Sequence, residues 1–119
     1  KPYYEQLVLS IKEDILNGVL TAGDQVPSVR EMAKHLLMNP NTVSKAYKVL
    51  ENEQVLVTIK GKGTFVKVTE DLPRDEIRIL QVKERLKELM IEASHLQISI
   101  RELTDWMNGF EQELGGDPQ

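Results

Sequence analysis

The start of the chain alternates apolar and polar residues at the spacing of a helix. Apolar side chains recur three or four positions apart at Tyr4, Leu7, Val8, Ile11 and Ile15, which predicts a first helix. Gly18 follows where such a helix would end in the left-handed conformation. Because residues 19–27 are interrupted by glycine, aspartate and proline, we expect a loop there, with room for one extended stretch.

Two further helices, separated by a short turn, are predicted from residue 28 onward. Ser28 and Glu31 match the capping box, in which each side chain accepts a hydrogen bond from the other residue's backbone, so a helix begins at Ser28. Asn39 and Pro40 are a cap and a first-turn proline, so that helix stops near Met38 and the next one runs from Pro40 to about Glu53. The expected inward side chains are Val29, Met32, Ala33 and Leu36 on the first of these helices, and Val43, Tyr47 and Leu50 on the second. The short connection between the two is that of a helix-turn-helix.

A β-hairpin is predicted after the third helix. Residues 55–59 are apolar and β-branched, and residues 64–68 alternate apolar and polar side chains. Between them lie Lys60, Gly61, Lys62 and Gly63, whose glycines can adopt positive φ. Three helices and a hairpin in this order predict a winged helix-turn-helix over residues 1–69.

The remainder of the chain, residues 70–119, predicts a helical dimerisation segment that follows a linker at residues 70–73. Ser99 and Glu102 form a second capping box, which favours two antiparallel helices, but Gln97 is not the glycine typical of a break, so one continuous helix stays open. The fold class is therefore mainly α with a small β-hairpin (α+β). Apolar residues repeat three and four apart throughout, and those expected to form the seam between two copies are Leu86, Leu89, Ala93, Leu96, Ile100, Leu103, Trp106, Met107 and Phe110.

Charge is distributed unevenly between these halves. The whole chain carries −4, but residues 1–69 hold nine Lys and Arg against seven Asp and Glu, a net +2, whereas residues 70–119 carry −6. Such an asymmetry is typical of a protein in which one half meets a polyanion.

Polar and cationic residues cluster where a helix-turn-helix would meet nucleic acid. The outward face of the third helix holds Asn41, Thr42, Ser44, Lys45 and Lys48, which could reach phosphates and base edges in a major groove or simply form a solvated face. The hairpin tip places Lys60 and Lys62 on a narrow loop, either for phosphate contact or as an ordinary turn. Arg30, unfavourably placed at a helix N-terminus, requires an anionic partner: a phosphate, a guanine edge or an internal carboxylate such as Glu31 or Asp24.

Other classes of chemistry have little support. The chain has no cysteine, and its two histidines, His35 and His95, lie far apart, so we expect no metal, no cofactor and no catalytic site. No apolar stretch is long enough to cross a bilayer, so we expect a soluble, cytoplasmic protein that does not bind membranes.

Three ordered motifs carry a close resemblance to the DNA-binding domain of the GntR family of bacterial transcription regulators, and the short helical tail resembles its YtrA-like subfamily. The resemblance implies that Ser28 and Arg30, the outward residues of the third helix, and Gly61, Lys62 and Gly63 of the wing contact DNA. Lys45 and Lys60 stand where the family often has arginine, and lysine cannot offer guanine a planar bidentate fork. Gln54 stands where the family usually has glycine. The motifs are Gly23-Asp24-Gln25-Val26-Pro27-Ser28-Val29-Arg30-Glu31-Met32-Ala33, Asn41-Thr42-Val43-Ser44-Lys45-Ala46-Tyr47 with Leu50-Glu51, and Gly61-Lys62-Gly63-Thr64-Phe65-Val66.

The resulting hypothesis is a sequence-specific transcription regulator, in the simplest case a repressor, that binds an inverted-repeat operator as a homodimer. The seam between two tails around Trp106 could hold a small-molecule effector. The alternative is a winged-helix scaffold for protein interactions, assembled through its C-terminal helices.

Overall fold

The computed structural model describes residues 1–70 and 72–115 and contains helices and a small antiparallel sheet. The chain divides into two compact units, of which the first is Lys1–Glu70 and the second contains the last two helices. None of the described helices is long and apolar enough to cross a membrane. In chain order the elements are α1 (Tyr3–Leu16), β1 (Gln25–Val26), α2 (Val29–Leu36), α3 (Pro40–Asn52), β2 (Leu56–Ile59), β3 (Gly63–Val66), α4 (Glu76–His95) and α5 (Ile100–Glu113).

The caps predicted from the sequence are present. Ser28 Oγ accepts a hydrogen bond from the Glu31 backbone N–H (3.1 Å), while Glu31 Oε1 accepts one from the Ser28 N–H (3.0 Å). Asn39 Oδ1 accepts from the Asn41 N–H (2.8 Å) at the start of α3, where Pro40 occupies the first turn. These caps satisfy backbone donors that have no partner within the helix, so they fix where α2 and α3 begin.

Helices α1 to α4 end in the same backbone reversal. In each, one residue just past the helix takes a positive φ, and the next N–H donates to a carbonyl five residues earlier, as in a Schellman motif. At the end of α2 this bond joins Met38 N to the Ala33 carbonyl (2.9 Å). The residues with positive φ are Gly18 (79°), Leu37 (54°), Gln54 (64°) and Gln97 (62°).

Two details of the predicted helix-turn-helix differ from the structure. Helix α2 ends at Leu36 rather than near Met38, because Leu37 already has left-handed dihedral angles. Leu36, expected to face inward, is 43% exposed, since it lies in the last turn, beyond the buried Ala33. Val29 and Met32 are partly buried, and they pack against the core.

The predicted hairpin is part of a three-stranded sheet in the order β1-β3-β2. Strand β3 pairs antiparallel with both neighbours, with Gln25 opposite Phe65 on one side and Leu56 opposite Val66 on the other. It ends at Val66, two residues before the predicted end; one more hydrogen bond, from the Lys67 N–H to the Val55 carbonyl (2.9 Å), follows it, and Val68 lies beyond this bond. Val68 is consequently exposed.

The core of the first unit joins α1, α2, α3 and the sheet. Its largest fully buried side chains are Leu50, Leu56 and Val43. The other buried members are Leu7, Val8, Ile11, Val26, Ala33, Ala46, Tyr47 and Val66. This core holds the inner face of α3 and the base of the β2–β3 hairpin, which we call the wing.

In the second unit, α4 and α5 are separate helices. Asp75 caps α4 by accepting from the Arg78 N–H (3.1 Å). The Ser99–Glu102 capping box begins α5, with Ser99 Oγ accepting from the Glu102 N–H (3.0 Å) and Glu102 Oε1 accepting from the Ser99 N–H (3.1 Å). The two-helix arrangement favoured by the sequence is therefore confirmed.

Candidate nucleic-acid interface

The outward face of α3 is polar and cationic. Val43, Ala46 and Leu50 have no exposed surface, so the rest of the helix is turned toward solvent. The residues predicted to contact DNA from this helix are exposed except for Thr42, which is half-buried; they are Asn41, Thr42, Ser44, Lys45 and Lys48. The fold therefore gathers all five on the solvent-facing side of one helix, an element that a major groove is wide enough to admit.

Lys45 has an aromatic neighbour that the sequence did not reveal. Its Nζ lies 4.1 Å from the centroid of the ring of Tyr4, a half-buried residue in the first turn of α1. An ammonium group at this distance from an aromatic face is held by a cation–π attraction worth about 0.5–1 kcal/mol at an exposed site. Tyr4 therefore restricts the directions in which Lys45 can point.

The N-terminus of α2 presents Ser28 and Arg30 to solvent. The hydrogen bonds from the Ser28 backbone and from its hydroxyl lower the pKa of the Glu31 carboxyl, and the nearby His35 lowers it further. Asp24 Oδ2 accepts from the Thr21 backbone (2.8 Å) and hydroxyl (3.1 Å). Both carboxylates that could have been internal partners of Arg30 are thus engaged elsewhere, and Arg30 forms no ion pair within the described residues.

Tyr47 connects α3 to the segment that begins α2. Its hydroxyl donates to the Pro27 carbonyl (2.6 Å), the residue before the Ser28 cap. Burial raises the pKa of Tyr47 to about 12, with the charge of Glu31 contributing in the same direction. Because the phenol stays protonated, this hydrogen bond fixes the start of α2 relative to α3 at ordinary pH.

The wing ends in a tight turn. The Lys62 N–H donates to the Ile59 carbonyl (2.9 Å), and Gly61 has φ 79°, the positive value that a type II turn requires at its third position. Lys60, Gly61 and Lys62 are exposed, whereas Gly63 is half-buried and has φ 125°. The turn therefore presents two cations and the adjoining backbone together.

Side-chain hydrogen bonds tie the wing to α3. Thr58 on β2 donates to the Glu51 carboxylate, and its hydroxyl also lies 3.0 Å from that of Thr64 on β3. Lys67 donates to the side-chain amide of Gln54, just past the end of α3. These contacts link the helix and the wing into one surface, and sequence periodicity gave no signal for them.

An apolar groove runs along the second unit. It has a volume of about 480 Å³, and every residue predicted for the dimer seam lines it: Leu86, Leu89, Ala93, Leu96, Ile100, Leu103, Trp106, Met107 and Phe110. Met90 and Ile98 also line the groove and were missed, because they lie beside the repeat rather than on it. Trp106 is 46% exposed and Phe110 is 55% exposed, so this face is incompletely covered within one chain.

A metal site is absent from the described part of the chain. No group of three or more His, Cys, Asp or Glu residues there could hold an ion. His35 and His95, the two histidines of the sequence, are both exposed.

Comparisons with known proteins agree with this architecture. Residues 3–66 match the family described as "Bacterial regulatory proteins, gntR family". The transcriptional repressor YtrA of Bacillus subtilis is 38% identical over 115 residues, which cover 97% of this chain and 88% of YtrA.

Two solved structures extend the comparison. A Listeria monocytogenes protein described as a transcriptional antiterminator superposes with a TM-score of 0.94 at 38% identity, covering 100% of this chain and 90% of that one. The DNA-binding domain of AraR in complex with the operator ORX1 gives a TM-score of 0.53 at 27% identity and covers 56% of this chain and 80% of that one. The chain is not an enzyme but belongs to the gntR family of bacterial regulatory proteins, as a YtrA-like, DNA-binding transcription regulator with a winged helix-turn-helix.

Proposed function

We propose that this protein is a cytoplasmic transcriptional repressor that binds an inverted-repeat operator as a homodimer. The observation that carries the proposal is the exposed polar and cationic face of α3, backed by a helix-turn-helix and flanked by a cationic wing. Its relative YtrA is described as a transcriptional repressor, which supports repression rather than activation.

In this proposal each part of the surface has its own role. Helix α3 enters the major groove, where Asn41 and Ser44 reach base edges and Lys48 reaches phosphate. Arg30, which is exposed and has no internal ion pair in the described chain, contacts a guanine edge. The wing lies along the backbone, with Lys62 neutralising a phosphate and the glycines permitting close approach.

Dimerisation is proposed through the apolar groove. Large apolar side chains from both α4 and α5 are about half exposed there, and soluble proteins seldom leave a contiguous patch of that kind uncovered. A second copy related by two-fold symmetry would cover it with the same residues. Two winged heads then read an inverted repeat whose half-sites are roughly 34 Å apart or a multiple of this.

The DNA-binding roles are tested by comparing Arg30→Ala with Lys62→Ala in titrations against the operator and a random duplex. Arg30→Ala should cost about 1–3 kcal/mol on the operator and relax sequence preference, whereas Lys62→Ala should weaken both duplexes alike and flatten the salt dependence. Lys83→Ala, an exposed cation on α4, is the matched control and should bind as the parent does. Equal losses on both duplexes for Arg30→Ala would contradict its role in base recognition.

The dimer is tested by sedimentation of the intact chain. Leu103→Asp places a charge in the groove and should yield a monomer with much weaker operator binding, because each half-site is then bound alone. Asp105→Ala, on a part of α5 that does not line the groove, should remain dimeric. A monomeric parent protein would refute the proposed assembly.

The dimer seam is also where we would place an effector. Apolar walls and a volume of several hundred cubic ångströms suit a small, largely apolar molecule. A thermal-shift screen of metabolites with the parent and Trp106→Ala tests this: stabilisation of the parent that the variant loses supports an effector site, and stabilisation of both equally argues against it.

A further inference from the structure

Gln25, which is not part of the wing, forms a hydrogen bond with the tip of the wing. Its side-chain Nε2 donates to the Lys62 carbonyl (3.1 Å), across 37 positions of sequence. Gln25 is exposed and lies on β1, the short strand before α2. This hydrogen bond therefore connects the segment that leads into the helix-turn-helix with the tip of the wing.

The packing of Gly63 reinforces the same contact. Gln25 is opposite Phe65 in the sheet, so Gly63, two positions earlier in β3, is its diagonal neighbour on the same face. A Cβ at position 63 would lie 2.5 Å from Gln25 Nε2 and 3.4 Å from its Cδ. The amide of Gln25 thus occupies the space in which residue 63 would otherwise carry a side chain.

We propose that Gln25 is a positioning residue that fixes the wing tip for phosphate contact. This inference rests on the proposed DNA-binding role of the wing. Strand β1 pairs only with Thr64 and Phe65, so the wing tip beyond them is a two-stranded hairpin. Such hairpins are only marginally stable in water, so a tip held by its own turn alone would be mobile. The Gln25 bond restrains the backbone at Lys62 before DNA arrives, which lowers the conformational entropy lost on binding.

The test uses Gln25→Met in the full chain. Methionine keeps an unbranched side chain of similar length over Gly63 but cannot donate to the Lys62 carbonyl. A net hydrogen bond of about 0.5–1.5 kcal/mol corresponds to a roughly 2- to 13-fold loss of affinity. We expect a loss no larger than that range on the operator and on a random duplex alike, and a melting temperature lowered by only a few degrees, because the lost bond is a single exposed one.

A double-mutant cycle separates positioning from direct contact. If Gln25 acts through the wing, Gln25→Met should have a much smaller effect in a Lys62→Ala background. An equal loss in both backgrounds would overturn the proposal, since Gln25 would then act independently of the Lys62 side chain.

Backbone order in the DNA-free protein provides a readout that does not depend on the proposed function. In Gln25→Met, the NMR order parameters of the Gly61 and Gly63 amides should fall toward the flexible range, below about 0.6. Unchanged order parameters would overturn the positioning role even if DNA binding weakens. If the parent binds no duplex, the proposed function fails, while lower order in the variant would still show that Gln25 restrains the wing.

Discussion

Replacing Leu37 by glycine should make the first unit more stable. Leu37 has φ 54° and ψ 43°, the left-handed conformation, in the turn of the helix-turn-helix. Its side chain is 93% exposed, so almost no packing is lost when it is removed. The substitution therefore isolates the cost of placing an L-residue with a side chain at this position.

Two opposing terms set the size of the effect. The left-handed conformation costs a residue other than glycine about 1–2 kcal/mol, which Leu37→Gly removes. Glycine adds freedom to the unfolded chain, which costs about 0.5–1 kcal/mol in return. The net gain should be about 0–1.5 kcal/mol, and its central value of about 0.75 kcal/mol corresponds to a rise in Tm of about 3–6 °C for a domain of this size.

Urea unfolding followed by circular dichroism measures this gain, which should appear as a higher midpoint with an unchanged slope. Lys34→Gly is the matched control, because Lys34 is exposed inside α2 and glycine there should cost about 1 kcal/mol. If Leu37→Gly destabilises the protein as Lys34→Gly does, either Leu37 does not have the left-handed conformation or its side chain is not exposed.

Three further substitutions test contacts around the interface. Tyr47→Phe leaves the Pro27 carbonyl without its donor and should cost about 1–3 kcal/mol in urea unfolding. Because the pKa of Tyr47 is raised from 10.0 to about 12 in the folded protein, the free energy of unfolding of the parent should fall between pH 10 and 12 by up to about 1.4 kcal/mol per pH unit. The Tyr47→Phe variant should lack this decline, and identical pH profiles for the two proteins would contradict the role given to Tyr47. Tyr4→Leu should lower operator affinity about 2- to 5-fold by removing the cation–π contact. In a protein that already carries Lys45→Ala, Tyr4→Leu should cause no further loss, and fluorescence titration measures both effects. Gly63→Ala, at φ 125°, should weaken both stability and DNA binding, and a variant indistinguishable from the parent would refute the strain at that position.

Local signals in the sequence were sufficient for much of the fold. Capping boxes at Ser28 and Ser99 fixed helix starts because the cap and its partner lie only three residues apart. The apolar repeat of α4 and α5 predicted the groove, since residues three and four apart share one helix face. In each case the interacting groups are neighbours along the chain.

The features that were missed depend on contacts distant in sequence or on unusual backbone geometry. An extended stretch was expected within residues 19–27, but its pairing with β3 was not, because strand β1 has only two residues, too few to show a period of two. Tyr4 and Gln25 gain their roles from Lys45 and Lys62, about forty positions away, and no local pattern links such pairs. Gln97 takes the left-handed conformation that is usually found for glycine at the end of a helix. The Schellman hydrogen bonds at the end of α4 offset the free-energy cost of this conformation.

The most direct test of the account is selection of bound duplexes from a random-sequence pool, followed by titration of the selected sequence at two salt concentrations. The account predicts an inverted repeat bound by a dimer, with affinity that falls steeply as salt rises, and no comparable binding to an RNA duplex, whose major groove is too narrow for α3. Enrichment of no sequence, or binding to DNA that is insensitive to salt, would contradict it.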